Sequence, residues 1–475
     1  MSNVDWQGKH VTVAGLGVSG IPAARVLHGL GAVVTVVNDG DDERSRAQAE
    51  ELEAQGITVR LGDGATLPKS TELIVTTPGW KPDKPLFAAA AEAGVPVWGD
   101  VELAWRLRGR DGREPAPWLA VTGTNGKTTT VRMLASILEA AGLRTAAVGN
   151  IGVSLLDAVL GEETYDVLAV ELSSYQLHWS PSLRAHSAAV LNLAPDHLDW
   201  HGSMEAYVAD KGRIYEGNTV ACVYNVADPA TEDLVREADV EEGCRAIGFT
   251  LGAPGPSQLG VVDGILVDRA FVTNRQKQAQ ELAEVADVNP PAPHNIANAL
   301  AAAALARAFG VAPAAVRDGL RAFRPDPHRI EHVADVAQVA YIDDSKATNT
   351  HAAEASLASY DPIVWIAGGL AKGATFDELV TGCAKRLRGV VLMGADRALI
   401  REALARHAPE VPVTELDRTD TGAMSEAVRE AARLARPGDT VLMAPACASM
   451  DMFVNYNKRG EAFADAVRTL AAESA

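Results

Sequence analysis

The chain has 475 residues, with 43 Lys and Arg against 62 Asp and Glu, a net charge of −19, and a composition 47% hydrophobic and 22% charged. That balance excludes an intrinsically disordered chain and argues against a general nucleic-acid binder, whose footprint is basic. The length suits about three domains. In chain order, 11–14 (VTVA) predicts a buried strand before Gly15, 21–30 a helix, and 32–37 a second strand ending at Asn38-Asp39. A charged, Ala-rich helix over 44–55 follows, then strands at 57–61 and 73–76, a helix at 85–94 and a strand at 95–98. The polar stretch 108–117, with its glycines and prolines, marks a first boundary. Beyond it come strands at 118–122, 166–170, 187–193 and 219–224, with a helix at 127–141. Short strands and Gly/Pro turns over 245–272 predict a small antiparallel flap, and 294–309 predicts an Ala-rich helix buried on most sides. The prolines of 322–329 mark a second boundary. After it, strands are expected at 339–342, 363–367, 390–393 and 440–443. A helix at 376–388 would gather Phe376, Leu379, Val380, Cys383 and Leu387 on one face. The alternation of strand and helix predicts an α/β protein of three domains, 1–112, 113–325 and 326–475.

Two loops point to phosphorylated ligands. Gly15-x-Gly17-x-x-Gly20 follows a strand and opens a helix, and Asp39 lies 19 residues beyond Gly20 at the end of the second strand. This is the dinucleotide-binding pattern, and equally a tight strand-to-helix turn with no ligand. Gly123-Thr124-Asn125-Gly126-Lys127-Thr128-Thr129 departs from a strict Walker A motif, since Val121 stands where that motif has its first glycine. Its physical requirements are met all the same. A strand precedes, a helix follows, glycines free the loop N–H groups for phosphate oxygens, Lys127 can reach the terminal phosphates, and Thr128 can offer its hydroxyl to magnesium. Two such loops on separate domains suggest a synthetase or ligase.

Further polar groups stand at strand ends, where open α/β sheets bind ligands. Glu171, in Glu171-Leu172-Ser173-Ser174, and Asp196-His197-Leu198-Asp199 could supply carboxylate and imidazole ligands to a metal beside the phosphates. Lys211, taken by itself, reads as a solvated helix residue. Asp343-Asp344-Ser345-Lys346-Ala347-Thr348-Asn349, Gly368-Gly369 with Lys372, and Ala444-Pro445-Ala446-Cys447-Ala448-Ser449 each follow a strand, and Pro327-His328-Arg329-Ile330-Glu331 lies at the second boundary. Cys222, Cys244, Cys383 and Cys447 form no CxxC pair and read as small buried thiols in a reducing compartment. The N-terminus MSNVDWQGKH lacks the features of a secretory signal, and no apolar run has the length of a membrane span. A cytoplasmic protein is expected.

Taken in order, GTNGKTTT, ELSSYQL, NLAPDHLD, HNIANAL, DPHRIE, DDSKATN and PACASMDMF closely resemble the Mur ligase family, and the resemblance extends over essentially the whole chain, GLGVSG included. DSKATN and PACAS-x-D-x-F resemble the D-glutamate-adding branch in particular. The resemblance implies a Rossmann-like first domain binding UDP, a central P-loop ATPase-like domain, and a Rossmann-like third domain binding the amino acid. It implies an amide-bond ligase using ATP and Mg2+, with UDP-N-acetylmuramoyl-L-alanine and D-glutamate as substrates, no nucleic-acid or membrane partner, and a monomeric state. By the same match, Leu16, Gly17, Val18 and Asp39 surround the uridine diphosphate and Asn150 lies near the muramoyl group. Gly123, Thr124, Asn125, Gly126, Lys127, Thr128, Thr129, Asn298, Arg329, Asp344 and Lys346 serve ATP. Glu171 and His197 match magnesium ligands, with Thr128 and with Lys211, which matches a lysine carbamylated in the family. Lys127, Glu171, His197 and Lys211 form the catalytic set. Thr348, Lys372, Ser449 and Tyr456 surround D-glutamate, with Tyr456 where some members have Phe and Leu370 where some have an acid. Rivals are a diamino-acid-adding or folylpolyglutamate-type ligase, a nicotinamide-dependent oxidoreductase resting on the first glycine loop, and a nucleotide-sensing regulator.

Overall fold

Short runs rich in Val, Ile and Ala, buried on both faces, build the central strands, as parallel sheets covered by helices require, while the edge strands are more polar and partly exposed. The computed structural model describes residues 4–109 and 114–474, so part of the expected 108–117 boundary lies outside the described residues. The first sheet comprises β1 (His10–Ala14), β2 (Val33–Asn38), β3 (Thr58–Leu61), β4 (Leu73–Thr76) and β5 (Val97–Gly99), in the order β3-β2-β1-β4-β5 with every pairing parallel. The strand order reverses beside β1, which opens a crevice at the carboxyl ends of β1 and β4.

The second sheet holds β6 (Trp118–Thr122), β7 (Ala147–Gly149), β8 (Leu168–Glu171), β9 (Ser187–Val190), β10 (Ala221–Asn225), β11 (Arg245–Phe249), β12 (Gln258–Val262), β13 (Ile265–Asp268) and β14 (Gln280–Glu284). Their order is β14-β13-β12-β11-β10-β9-β6-β8-β7. Successive residues feed opposite faces. Trp118, Ala120, Leu168 and Ala188 pack into one core, and Leu119, Val121, Ala169 and Ala189 into another. The expected flap at 245–272 is corrected. Its antiparallel ladder of β12, β13 and β14 exists, but β11 pairs parallel to β10 and β12 parallel to β11, so the segment extends this sheet. Free backbone groups along the edge of β10 are satisfied by that extension. Cys222 and Cys244 meet there, Sγ to Sγ 3.9 Å, both as free thiols.

The third sheet is built from β15 (Glu331–Val336), β16 (Val339–Asp343), β17 (Ile363–Ala367), β18 (Leu387–Leu392), β19 (Val413–Glu415) and β20 (Thr440–Met443), ordered β15-β16-β20-β17-β18-β19, with only β15–β16 antiparallel. It has a core on each face, one around Ile342, Trp365 and Leu442, the other around Tyr341, Val364 and Val441. The helix expected over 376–388 is shorter, Asp377–Cys383. A 3-10 turn follows, and Leu387 opens β18 opposite Ile363. Leu387 continues the helical period, but pairing with β17 overrides it. By contact density the chain divides into two compact units, Met1–Val288 with Ile296–Phe323, and Asn289–Asn295 with Arg324–Ala475. Among the described residues no helix is long and apolar enough to cross a membrane.

Candidate active site

In the first unit, the turn after β1 needs glycine at a close approach: a Cβ on Gly20 would lie 2.0 Å from the carbonyl oxygen of Gly15. The turn is tied to β2 by Leu16 N–H donating to Asn38 Oδ1 at 3.2 Å, while Gly17 and Val18 are exposed. Asp39 forms an ion pair with Lys84, whose Nζ lies 4.7 Å over the Trp80 ring. Lys84 and Trp80 are not singled out by any motif; their one mark in the sequence is a place between the strand at 73–76 and the helix that starts at Pro85.

A second cluster gathers at the carboxyl ends of β6, β8 and β9. Gly126, at φ +84°, precedes the helix Lys127–Ala140, and a Cβ there would lie 2.4 Å from Asn298 Oδ1. The loop is held from the 192–194 segment. Asn125 N–H donates to Asn192 Oδ1 at 2.8 Å, and Ala194 N–H to Thr124 Oγ1 at 2.9 Å. Thr128 and Thr129 open the helix beside Lys127. Lys127 Nζ donates to the carbonyls of Gly123 and Thr124, both at 2.9 Å. Lys211, far from the solvated residue its local sequence suggests, is 2% exposed, and its Nζ also donates to Gly123 O at 2.9 Å. Burial first, and the Lys127 charge second, push its ammonium well below the ordinary lysine value, which favours the neutral amine.

Glu171 is 2% exposed. Its Oε1 accepts from Asn150 Nδ2 at 2.9 Å, and Oε2 is buried without a hydrogen-bond partner among the described residues. A buried carboxylate oxygen left so is costly unless a cation meets it, so this group fits a magnesium ligand. Asn150 thus joins the Glu171 cluster. His197 sits at φ +54°, its Nε2 3.4 Å from Asp196 Oδ2 and its ring 4.8 Å from that of Tyr175. Desolvation, with the charges of Lys127 and Lys211 and against those of Asp196 and Asp199, lowers its proton affinity, which leaves a neutral imidazole available as a ligand. Asp210, beside Lys211, was also missed. Burial works to raise its carboxyl, but hydrogen bonds from His178 and His201 hold it down to about 2.

In the second unit, three strand-end loops meet. Leu370 and Ala448 exchange backbone hydrogen bonds at 2.9 Å, and Ala446 N–H donates to Ala347 O at 3.0 Å. Thr348, Lys372 and Ser449 stand on these three loops, Ser449 buried and Lys372 exposed at φ +51°. Lys346 Nζ lies 4.0 Å over the Tyr456 ring. Asp344 is bonded by Ser356 Oγ, and burial pushes its carboxyl up to about 6, with the Arg329 charge acting against the rise. Arg459, unforeseen from sequence, is 1% exposed and donates to Ser345 O at 2.9 Å and Cys447 O at 3.0 Å, stitching two of the loops together. Its spacing to Phe463, Ala466 and Val467 on one helical face was the available sign that it is buried.

The chain belongs to the Mur ligase family. The models that match are the Mur ligase MurD-like N-terminal domain over residues 9–99, the Mur ligase middle domain over 121–306, and the Mur ligase glutamate ligase domain over 328–447. The chain is 87% identical over 468 residues to the UDP-N-acetylmuramoylalanine–D-glutamate ligase of Streptomyces avermitilis, covering 98% of this chain and 100% of that one. It is 59% identical over 472 residues to the protein of that name from Thermobifida fusca, with 98% and 100% covered. Among solved structures, MurF ligase from Thermotoga maritima in complex with ADP matches at 16% identity and TM-score 0.58, covering 99% of this chain and 96% of that one, a likeness of fold.

Proposed function

We propose that the chain is an ATP-dependent amide-bond ligase that joins D-glutamate to UDP-N-acetylmuramoyl-L-alanine in peptidoglycan precursor synthesis, acting as a cytoplasmic monomer. The observation that carries this reading is 87% identity across nearly the whole chain to a ligase of that name. Residues 1–112 are assigned to the UDP substrate, 113–325 to ATP and 326–475 to the amino acid. Leu16, Gly17, Val18 and Asp39 take the uridine diphosphate, and Asn150 the muramoyl end. The N–H groups of the Gly123–Thr129 loop, the helix N-terminus and Lys127 meet the phosphates, with Asn298 beside the loop. Arg329, Asp344 and Lys346 are assigned to the nucleotide, and Thr348, Lys372, Ser449 and Tyr456 to D-glutamate.

The terminal phosphoryl group passes to the substrate carboxylate, and the amine of D-glutamate then displaces phosphate from the acyl phosphate. Lys127 answers the charge that builds on the transferring group. When bound, magnesium would neutralise part of that charge, and Thr128, Glu171, His197 and carbamylated Lys211 would hold it. The Oε2 of Glu171, buried with no hydrogen-bond partner among the described residues, supports a cation there. The buried amine of Lys211 suits carbamylation, since its neutral form is the nucleophile for CO2. The test is phosphate release with ATP, UDP-N-acetylmuramoyl-L-alanine and a panel of amino acids. D-glutamate should support the fastest release. Faster release with lysine or meso-diaminopimelate would overturn the amino-acid assignment, and none with any amino acid the ligase reading itself.

A further inference from the structure

The carboxylate next to Lys211 is held by groups that the ligase chemistry leaves unused. Asp210 is 5% exposed. His178 Nδ1–H donates to both of its oxygens at 2.9 Å, His201 Nδ1–H donates to Oδ2 at 2.9 Å, and Arg213 Nε lies 3.2 Å from Oδ1. His201 Nε2 is in turn hydrogen-bonded to Ser174 Oγ at 2.9 Å. The origin of these partners matters. His178 closes the helix Ser174–His178, which starts just beyond Glu171 at the end of β8. His201 closes the helix Leu198–His201, whose N-cap is His197. Asp210 and Lys211 are consecutive in the helix Met204–Gly212. One carboxylate therefore ties together the three segments that carry Glu171, His197 and Lys211.

We propose that Asp210 is a positioning residue for the cation cluster: clamped by His178 and His201, it sets the placement of Glu171, His197 and Lys211 relative to one another. The proposal rests on the ligase reading, under which those three residues hold magnesium. Consecutive helical residues point about 100° apart, so a fixed Asp210 fixes the helix's rotation and with it the direction of Lys211. The imidazoles are packed among rings: His178 lies 5.2 Å from Trp200, and His201 5.3 Å from Tyr207 and 4.5 Å from Trp200, centroid to centroid. That packing encloses the His201 ring completely and leaves 24% of the His178 side chain exposed.

Outer groups that orient metal ligands typically change metal affinity by about 10- to 100-fold when removed. The test is Mn2+ binding to the full chain, followed by electron paramagnetic resonance with a non-hydrolysable ATP analogue present, and read well below each variant's unfolding midpoint. Asp210→Asn should weaken Mn2+ binding about tenfold or more and lower kcat, with KM for D-glutamate unchanged. Asp210→Glu, which restores the charge, should recover most of the affinity. Should Asp210→Asn fail to fold, His201→Gln and His178→Gln each remove one arm of the clamp and should each weaken Mn2+ binding. Affinity within twofold of the unsubstituted chain in a folded Asp210→Asn, or in both histidine variants, would overturn the proposal while leaving the ligase reading standing. Absence of nucleotide-dependent Mn2+ binding in the unsubstituted chain would overturn both.

Discussion

Lys127 and Lys211 share one carbonyl, Gly123 O, yet their surroundings assign them different work. Lys127 is half-buried at the start of a helix, where an ammonium can leave its loop carbonyls for a phosphate; Lys211 is enclosed. Lys127→Ala should therefore keep the fold, because the side chain is only half-buried and Gly123 O keeps Lys211 as a donor, and should lower kcat by roughly 10²–10³, the usual loss at an electrostatic transition-state contact. Normal turnover by a folded Lys127→Ala protein would remove the loop from the mechanism. Ser449 makes the contrasting case. Under the proposed reading its hydroxyl meets a carboxylate of D-glutamate that is present before and during reaction, so its loss is uniform. Ser449→Ala should raise KM for D-glutamate by about 10-fold, the lower end for a hydrogen bond to a charged group, with kcat and KM for ATP unchanged. A fall in kcat at unchanged KM would place Ser449 elsewhere.

At the scale of elements, the third sheet's site depends on loops held by a residue from a distant helix. Arg459 comes from the helix Tyr456–Ser474 and bonds carbonyls on two strand-end loops. Arg459→Met keeps the bulk and strands those two carbonyls, at a cost of about 2–6 kcal/mol, since each buried unpaired acceptor costs ~1–3 kcal/mol. Thermal unfolding should show that loss, and KM for D-glutamate should rise because Ser449 follows one loop and Thr348 the other. An unchanged melting midpoint would mean that the loops hold without it. The same residue shows what could be read in advance. The Gly123–Lys127 loop is legible because its needs are local: a strand end, glycines and a lysine at a helix start. Arg459 has an apolar helical face to mark it as buried but nothing to name its carbonyl partners, and Asp210, with partners 32 and 9 residues away along the chain, is an ordinary helical charge until the fold brings imidazoles to it. The segment at 245–272 shows the same limit, since its turns are local but its attachment to β10 is not.

In the whole molecule, the first unit is bound together by one core that spans two sheets. It runs from Trp6, Val13 and Val34 through Trp105 to Trp118, Leu168 and Ala188, and the rings of Trp105 and Trp118 meet edge to face at 4.9 Å. The second unit has cores of its own. A ligand that binds the crevice of the first sheet should therefore stabilise the entire first unit and leave the second unit's melting unchanged. The glycine loop at Gly15, Gly17 and Gly20 fits either a uridine or a nicotinamide nucleotide by geometry alone, and under the ligase reading the ligand is UDP. At a concentration of UDP 100 times its dissociation constant, linkage gives about 2.7 kcal/mol. For a unit of this size that is a rise of roughly 5 °C in its unfolding midpoint. Calorimetry on the full chain should show the rise with UDP and none with NAD. A rise with NAD and none with UDP would reverse the assignment of Leu16, Gly17, Val18 and Asp39.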